Sequence, residues 1–242
     1  MDEIPGFGAV RVPDDIKEGR KLFRALCNVR PPMEASEEFL KIQDEELSFQ
    51  REEKGVVSLE DIPGGRIRLW QGDITRLGVD AIVNAANSAL RGCFHPLHGC
   101  IDNAIHSSAG IQLRLECDRI MKAQGMEEPA GKAKITDAYN LPCRKIIHTV
   151  GPIVWGTEPS DEDERQLAQC YRSCLSLAEG KGLHSIAFCC ISTGEFHFPN
   201  ERAAEIAVGE VRNFMGSVKN LECVIFNVFK DADYQIYSRI LA

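Results

Sequence analysis

Apolar residues recur along this chain with two different periods. In residues 66–71 (RIRLWQ) they alternate with polar ones, the two-residue period of a strand with one buried face. Residues 79–83 (VDAIV) and 185–191 (SIAFCCI) are short apolar runs of the kind covered on both faces of a sheet. Residues 145–150 (KIIHTV) and 222–229 (ECVIFNVF) read as further strands. Between them the spacing becomes helical. Ile101, Ile105 and Ala109 recur every fourth residue, and Leu167, Cys170, Tyr171, Cys174 and Leu175 line one stripe. Ala203, Ala207, Val211 and Phe214 line another, with Asn200 after Pro199 as its expected cap. Such alternation implies a mostly parallel sheet with helices on both faces. In these sheets ligands bind at the carboxyl ends of strands.

Residues 1–60 follow a different plan. Residues 14–29 place Ile16, Leu22, Phe23 and Leu26 at roughly helical spacing, and Pro31-Pro32 ends the run. Residues 36–54 predict a second helix capped by Ser36, with Phe39, Leu40, Ile42, Leu47 and Phe49 as an imperfect stripe. No chemical motif falls here. The segment reads as a helical extension (1–60) that packs on a main domain (61–242) or shapes the rim of its site.

Composition narrows the functional classes. Apolar residues make up 44% and charged residues 26%, as in an ordinary globular protein. No apolar run approaches the roughly 20 residues that span a bilayer. Residues 1–10 (MDEIPGFGAV) lack a signal peptide's basic start and apolar core, so a cytoplasmic protein with reduced thiols is expected despite ten cysteines. Cys170, Cys174, Cys189 and Cys190 read as small buried hydrophobes. The net charge of −8 argues against a nucleic-acid partner. Residues 61–242 hold 22 acids and 19 bases, a near balance that suits an anion held by backbone amides.

Three loops after predicted strands carry the chemistry. In Gly72-Asp73-Ile74-Thr75, Asp73 either accepts a hydrogen bond from an exocyclic amine or caps a turn. In Asn84-Ala85-Ala86-Asn87-Ser88, the two amides bond either the loop backbone or the hydroxyls of a sugar. In Ser192-Thr193-Gly194-Glu195-Phe196, a tight turn before a helix suits phosphate, with Gly194 permitting close approach. Phe196 packs on a sugar face or fills core.

The succession GDIT, VDAIVNAANSAL, CIDNAIHSSAG, AGKAKITDAYNLP, KIIHTVGP and ISTGEFHFP resembles the macrodomain family over nearly all of residues 66–230. The resemblance implies a three-layer α/β/α sandwich with a mixed, mostly parallel sheet and an ADP-ribose pocket at the strand ends. By position, Asp73 would bind the adenine amino group with Ile74 beside it. Asn84 and Asn87 would lie along the distal ribose, Asn87 nearest its hydroxyls. Ser192, Thr193, Gly194, Glu195 and Phe196 would wrap the diphosphate, Phe196 also flanking the ribose.

One stretch departs from the family's usual glycine-rich loop. Residues 91–103 contain Cys93, His95, His98 and Cys100, two thiols and two imidazoles within eight residues. Zn²⁺ takes such ligands tetrahedrally, and a catalytic zinc commonly keeps one position open. The segment looks like the zinc-dependent branch of macrodomains, which implies one zinc ion per chain held by Cys93, His98 and Cys100, with His95 outside. The alternatives are a structural zinc that also takes His95, or no metal. Asp102, in the first turn of the next helix, either orients or deprotonates a water or merely starts the helix. His106 and His148 read as structural, and His197 has no assigned role.

The implied reaction is hydrolysis of the bond between C1″ of the distal ribose and a protein side chain, probed first on a carboxylate (ester) linkage. Asn87 holds the ribose and Asp102 handles the nucleophile beside the metal. Kinship with the branch implies a mono-ADP-ribosylated partner such as a lipoyl-carrying protein modified by a sirtuin. The rival readings are a non-catalytic ADP-ribose reader and a hydrolase of small ADP-ribose esters.

Overall fold

The computed structural model describes residues 11–242. The stretch on which the signal-peptide reading rests, residues 1–10, lies outside the described residues. Helix α1 (Ile16–Val29) starts at Asp15, whose carboxylate accepts the Lys17 and Glu18 amides at 3.0 Å each. It stops before Pro31-Pro32. Helix α2 (Glu37–Lys54) is capped by Ser36, which accepts the Phe39 amide at 3.2 Å, and ends at Gly55 with φ 74°. It buries only part of its expected stripe. Phe39, Ile42 and Phe49 stay exposed, while Gln43 and Leu47 turn inward. Gln43 is held there by Gln112 and by the Ile111 amide, so a polar residue takes a core position.

The remaining elements are β1 (Val57–Ser58), β2 (Ile67–Gln71), β3 (Leu77–Gly78), β4 (Ala81–Ala85), α3 (Ile101–Ala109), α4 (Ile111–Gln124), β5 (Ala133–Asp137), β6 (Lys145–Thr149), α5 (Asp161–Gly180), β7 (Ser185–Phe188), α6 (Asn200–Met215), β8 (Cys223–Val228) and α7 (Asp231–Leu241). β1 and β3 form a small parallel pair, and the six others form one sheet ordered β2-β8-β7-β4-β6-β5. All pairs in it are parallel except β5 with β6. Helices α5, α6 and α7 pack side by side in one layer, and α3 and α4, joined by α1 and α2, make the other. The expected sandwich is the fold observed.

Differences in the strands have local causes. Residues 79 and 80 precede β4 because the Asp80 carboxylate accepts the His184 and Ser185 amides at 2.7 and 3.1 Å, forming a turn. β4 instead runs on through Asn84, whose amide finds partners inside the molecule. β7 ends at Phe188, and its pairing with β4 covers only Ala81 and Ile82. The β4–β6 pairing continues to Ala85. Strands β4 and β7 therefore part at their carboxyl ends. The chain also reverses its direction of travel across the sheet between these two strands, so the cleft opens at a topological switch point.

The α5 stripe from Leu167 to Leu175 is fully buried. All ten cysteines are free thiols. Cys170, Cys174 and Cys189 are buried, whereas Cys190 is only half-buried, contrary to the expectation for it. Asn200 does not cap α6; it is the first helical residue and donates to Asp233 at 2.5 Å. Among the described residues, no helix is long and apolar enough to cross a membrane.

Candidate active site at the β4 and β7 strand ends

The loop after β2 is held by its own acid. Asp73 Oδ1 accepts the Thr75 amide at 3.0 Å and the Thr75 hydroxyl at 2.7 Å, capping the short turn Ile74–Arg76. Its second oxygen lies 3.6 Å from Lys54 Nζ and remains partly exposed. Both readings of Asp73 thus have an oxygen available. Ile74 follows it with its side chain buried in the core.

After β7 the chain makes a tight, closed loop. The Phe198 amide donates to Ser192 O at 3.0 Å and the His197 amide to Gly194 O at 3.1 Å. Ser192 has φ 65° and His197 φ 57°, a left-handed conformation uncommon outside glycine. A left-handed residue next to right-handed ones can point neighbouring N–H groups into one concavity, an arrangement suited to an anion. The Ser192 hydroxyl is buried against Gly151, where a Cβ would lie 2.0 Å from it. Thr193 donates to Cys190 O at 3.1 Å. Gly194 and Glu195 are exposed and Phe196 is half-buried.

The end near β4 is made of side chains. Asn84 is fully buried. Its Nδ2 donates to Asp102 Oδ1 at 2.8 Å and meets His148 Nδ1 at 3.2 Å. His148 Nδ1 is therefore an acceptor, and Nε2, 2.9 Å from Thr136 Oγ1, carries the proton. The Asn84 Nδ2 is thus taken by Asp102 and His148, both inside the molecule. Asn87 donates to Gly92 O at 3.2 Å and to Asp102 Oδ2 at 3.4 Å, and accepts the Ala89 amide at 3.1 Å. Asp102 is thus gripped by two asparagines, Asn84 in β4 and Asn87 in the loop that follows it.

Burial pushes the Asp102 carboxyl up to about 6, against the donation from Asn84. Burial likewise pushes His148 down to about 4 and His106 well below its usual value. His106 Nε2 lies 3.5 Å from Asp102 Oδ1 without hydrogen-bond geometry. The two shifts run in opposite directions, each toward the neutral form, so this contact is not an ion pair.

Among the described residues, two sets of three potential metal ligands converge, each with donor atoms within 4.8 Å of one another. One is His106, Cys117 and His148, all in the core. His148 has both nitrogens engaged by Asn84 and Thr136, so this set lacks a third free donor. The other is Cys93, His98 and Cys100, all half-buried. Cys93 Sγ lies 3.7 Å from His98 Nδ1, and Cys100 Sγ accepts the Asn103 amide at 3.4 Å. Gly92, with φ 78°, lets this loop sit on α3; a Cβ there would meet the His106 ring at 2.8 Å. His95 is exposed and not part of the set. Two sulfurs and one imidazole are the donor set of a soft or borderline ion with a position to spare, so these residues fit zinc. His98 Nε2 lies 3.7 Å from Glu195 of the loop after β7. That contact joins the thiol–imidazole loop to the anion loop across the cleft.

A Macro domain family model matches residues 83–207. The chain is 49% identical over 248 residues to a protein-ADP-ribose hydrolase of Treponema medium, covering 100% of this chain and 95% of the relative. The chain belongs to the Macro domain family. Among solved structures, the Oceanobacillus iheyensis macrodomain with ADP is similar at TM-score 0.65 and 39% identity, over 72% of this chain and 89% of that one. A Trypanosoma brucei macrodomain in complex with ADP-ribose is similar at TM-score 0.69 and 31% identity, over 91% and 95%.

Two features of this macrodomain's cleft were not read from the sequence. Phe229, at the carboxyl end of β8, is 76% exposed beside the Asp73 loop, where Gln71 Nε2 donates to its carbonyl at 3.3 Å. The signal was available, because an aromatic at the end of a buried strand has no core to fill. The second is the Thr136–His148–Asn84–Asp102 chain. Its members lie on β5, β6, β4 and α3, and no spacing in the sequence links them.

Proposed function

We propose that this macrodomain is a zinc-dependent protein ADP-ribosyl hydrolase, releasing ADP-ribose from a modified side chain. One observation carries the reading: His98 stands between the Cys93 sulfur and Glu195, so the thiol–imidazole set adjoins the anion loop, and Cys100 caps the helix whose first turn carries Asp102. The Treponema medium relative, matched over the whole chain, supports the activity class. The Trypanosoma brucei complex supports ADP-ribose as the ligand.

The exposed oxygen of Asp73 accepts the adenine amine, and Phe229 offers a flat apolar face to the base. Backbone amides of Ser192 to Phe196 hold the diphosphate. Glu195 contributes its amide there; its carboxylate would repel phosphate and instead faces His98. These contacts lie away from the reacting carbon and so fix the distal ribose for attack. Asn87 holds the ribose hydroxyls. Cys93, His98 and Cys100 would hold the zinc, which when bound supplies a Lewis acid beside the sugar.

Asp102 orients a water toward C1″ and accepts its proton as the new C–O bond forms and the bond to the side-chain oxygen breaks. A carboxylate leaves as a stable anion and needs no acid, which is why an ester linkage is the substrate proposed. Asn84 and Asn87 hold the two Asp102 oxygens in place for this. The first substrate to try is the one the family resemblance implies, a lipoyl-carrying protein mono-ADP-ribosylated by a sirtuin-type enzyme.

The test is release of free ADP-ribose from such a protein, with ADP-ribose affinity measured on the same sample. Release that stops when a chelator removes the metal, with affinity retained, is the expected result. Binding without release would make the protein a reader. Release only from small ADP-ribose esters would move the substrate away from proteins.

A further inference from the structure

The Cys93–Cys100 loop has almost no structure of its own, yet its carbonyls and amides are taken up by side chains from elsewhere. Arg24, half-buried on α1, donates through Nη2 to His98 O at 3.1 Å. The same guanidinium grips Asn103 Oδ1, at 3.1 Å from Nε and 2.7 Å from Nη2. Asn103 in turn donates to His95 O at 2.9 Å. Asn28, one turn further along α1 and buried, accepts the Leu97 amide at 3.0 Å and donates to Ser107 at 3.0 Å. Leu97 has φ 56°, a conformation that a branched aliphatic residue adopts only when held.

A second tie runs through α4. Arg114 donates from Nη1 to the carbonyls of Cys27, Asn28 and Arg30 at 2.6–2.9 Å, and its Nη2 reaches Cys93 O at 3.3 Å. The end of α1 and the start of the loop are therefore pinned to the same guanidinium. Two of the three candidate ligands, Cys93 and His98, have their own carbonyls held in this way. Nothing in α1 reaches the Asp73 or Ser192 loops by any hydrogen bond found among the described residues.

We infer that α1 is the positioning element of the thiol–imidazole site: Arg24 and Asn28 hold the loop in the conformation that brings its donor atoms together, and so set metal affinity. This gives the N-terminal segment a task within the reaction, and it rests on the zinc reading above. Removing a group that orients a ligand commonly costs about 10–100-fold in metal affinity.

The experiment compares full-length wild type with Arg24→Ala, Arg24→Lys and Asn28→Ala. Zinc affinity is measured by competition with a chromophoric chelator, and hydrogen exchange is followed across residues 94–99. Both alanine variants should bind zinc about 10–100-fold more weakly, with faster exchange confined to that loop and unchanged affinity for ADP. Arg24→Lys should fall between, since an ammonium replaces one acceptor contact but not the fork. Wild-type zinc affinity in both alanine variants overturns the inference, and so does exchange that rises throughout the chain. If the wild type takes up no zinc, the metal reading fails and alkylation rates at Cys93 and Cys100 decide the rest. Faster alkylation in Arg24→Ala sustains the positioning role, and equal rates remove it.

Discussion

At the end of the cleft proposed to hold the diphosphate, Ser192 to Phe196 presents main chain, shaped by a left-handed Ser192 and backed by Gly151. At the end proposed for the sugar, Asp102, Asn84, Asn87 and the Cys93–Cys100 loop present side chains held by other side chains. The first arrangement tolerates an acidic protein, because amide dipoles need no counter-charge and the anion brings its own. The second is expensive to assemble, since every buried polar group must find a partner. Binding and chemistry are therefore separable along one cleft. A substitution at one end should leave the other largely intact.

The largest effect should come from Asp102→Asn. Loss of the carboxylate should slow ADP-ribose release by about 10²–10⁴-fold, with ADP-ribose affinity by calorimetry changed little. A parallel loss of affinity would show that the two ends are one unit.

A smaller effect concerns the buried side of the sugar end. His148 is held at about 4 by burial, well below the ordinary histidine value near 6.5. The unfolded chain thus binds the extra proton first. The histidine's contribution is fully present above about pH 6.5 and is lost as pH falls toward 4, amounting to about 2 kcal/mol at pH 5. Asp102, raised by burial, works in the opposite direction over the same range. Chemical denaturation of wild type and His148→Gln at pH 7.5 and 5 isolates the histidine: wild type should lose about 2 kcal/mol more than the variant. Equal losses would mean that His148 is not buried neutral.

The smallest effect lies at the adenine end. Phe229→Ala should weaken ADP and ADP-ribose alike, by about 1 kcal/mol, and leave the rate at saturation unchanged. A selective loss for ADP-ribose would place Phe229 at the wrong end of the cleft.

The parts that could be read from the chain follow the same division. Periodicity disclosed the α5 stripe and most of the sheet, because α5 buries one apolar stripe and the central strands are apolar runs buried on both faces. It missed α4, whose buried positions include Arg114 and Asp118, and the antiparallel edge strand β5, whose run AKITD is only partly buried. The convergence of Cys93, His98 and Cys100 was visible as a density of ligand residues within one loop. The bond from Asn84 to Asp102 could not be read, since an amide at a strand end looks the same whether it meets a sugar or a carboxylate eighteen residues on. The grip of Arg24 on the loop spans 74 residues and that of Arg114 spans 21, from helices with no motif of their own.

Cobalt(II) in place of zinc gives the most direct test that the thiol–imidazole set faces the sugar. Thiolate ligation should appear in its absorption spectrum, and saturating ADP-ribose should shift the visible bands. ADP, which fills the same pocket but lacks the distal ribose, should leave them unchanged. Bands that respond identically to both ligands, or a cobalt protein without thiolate absorption, would contradict the account.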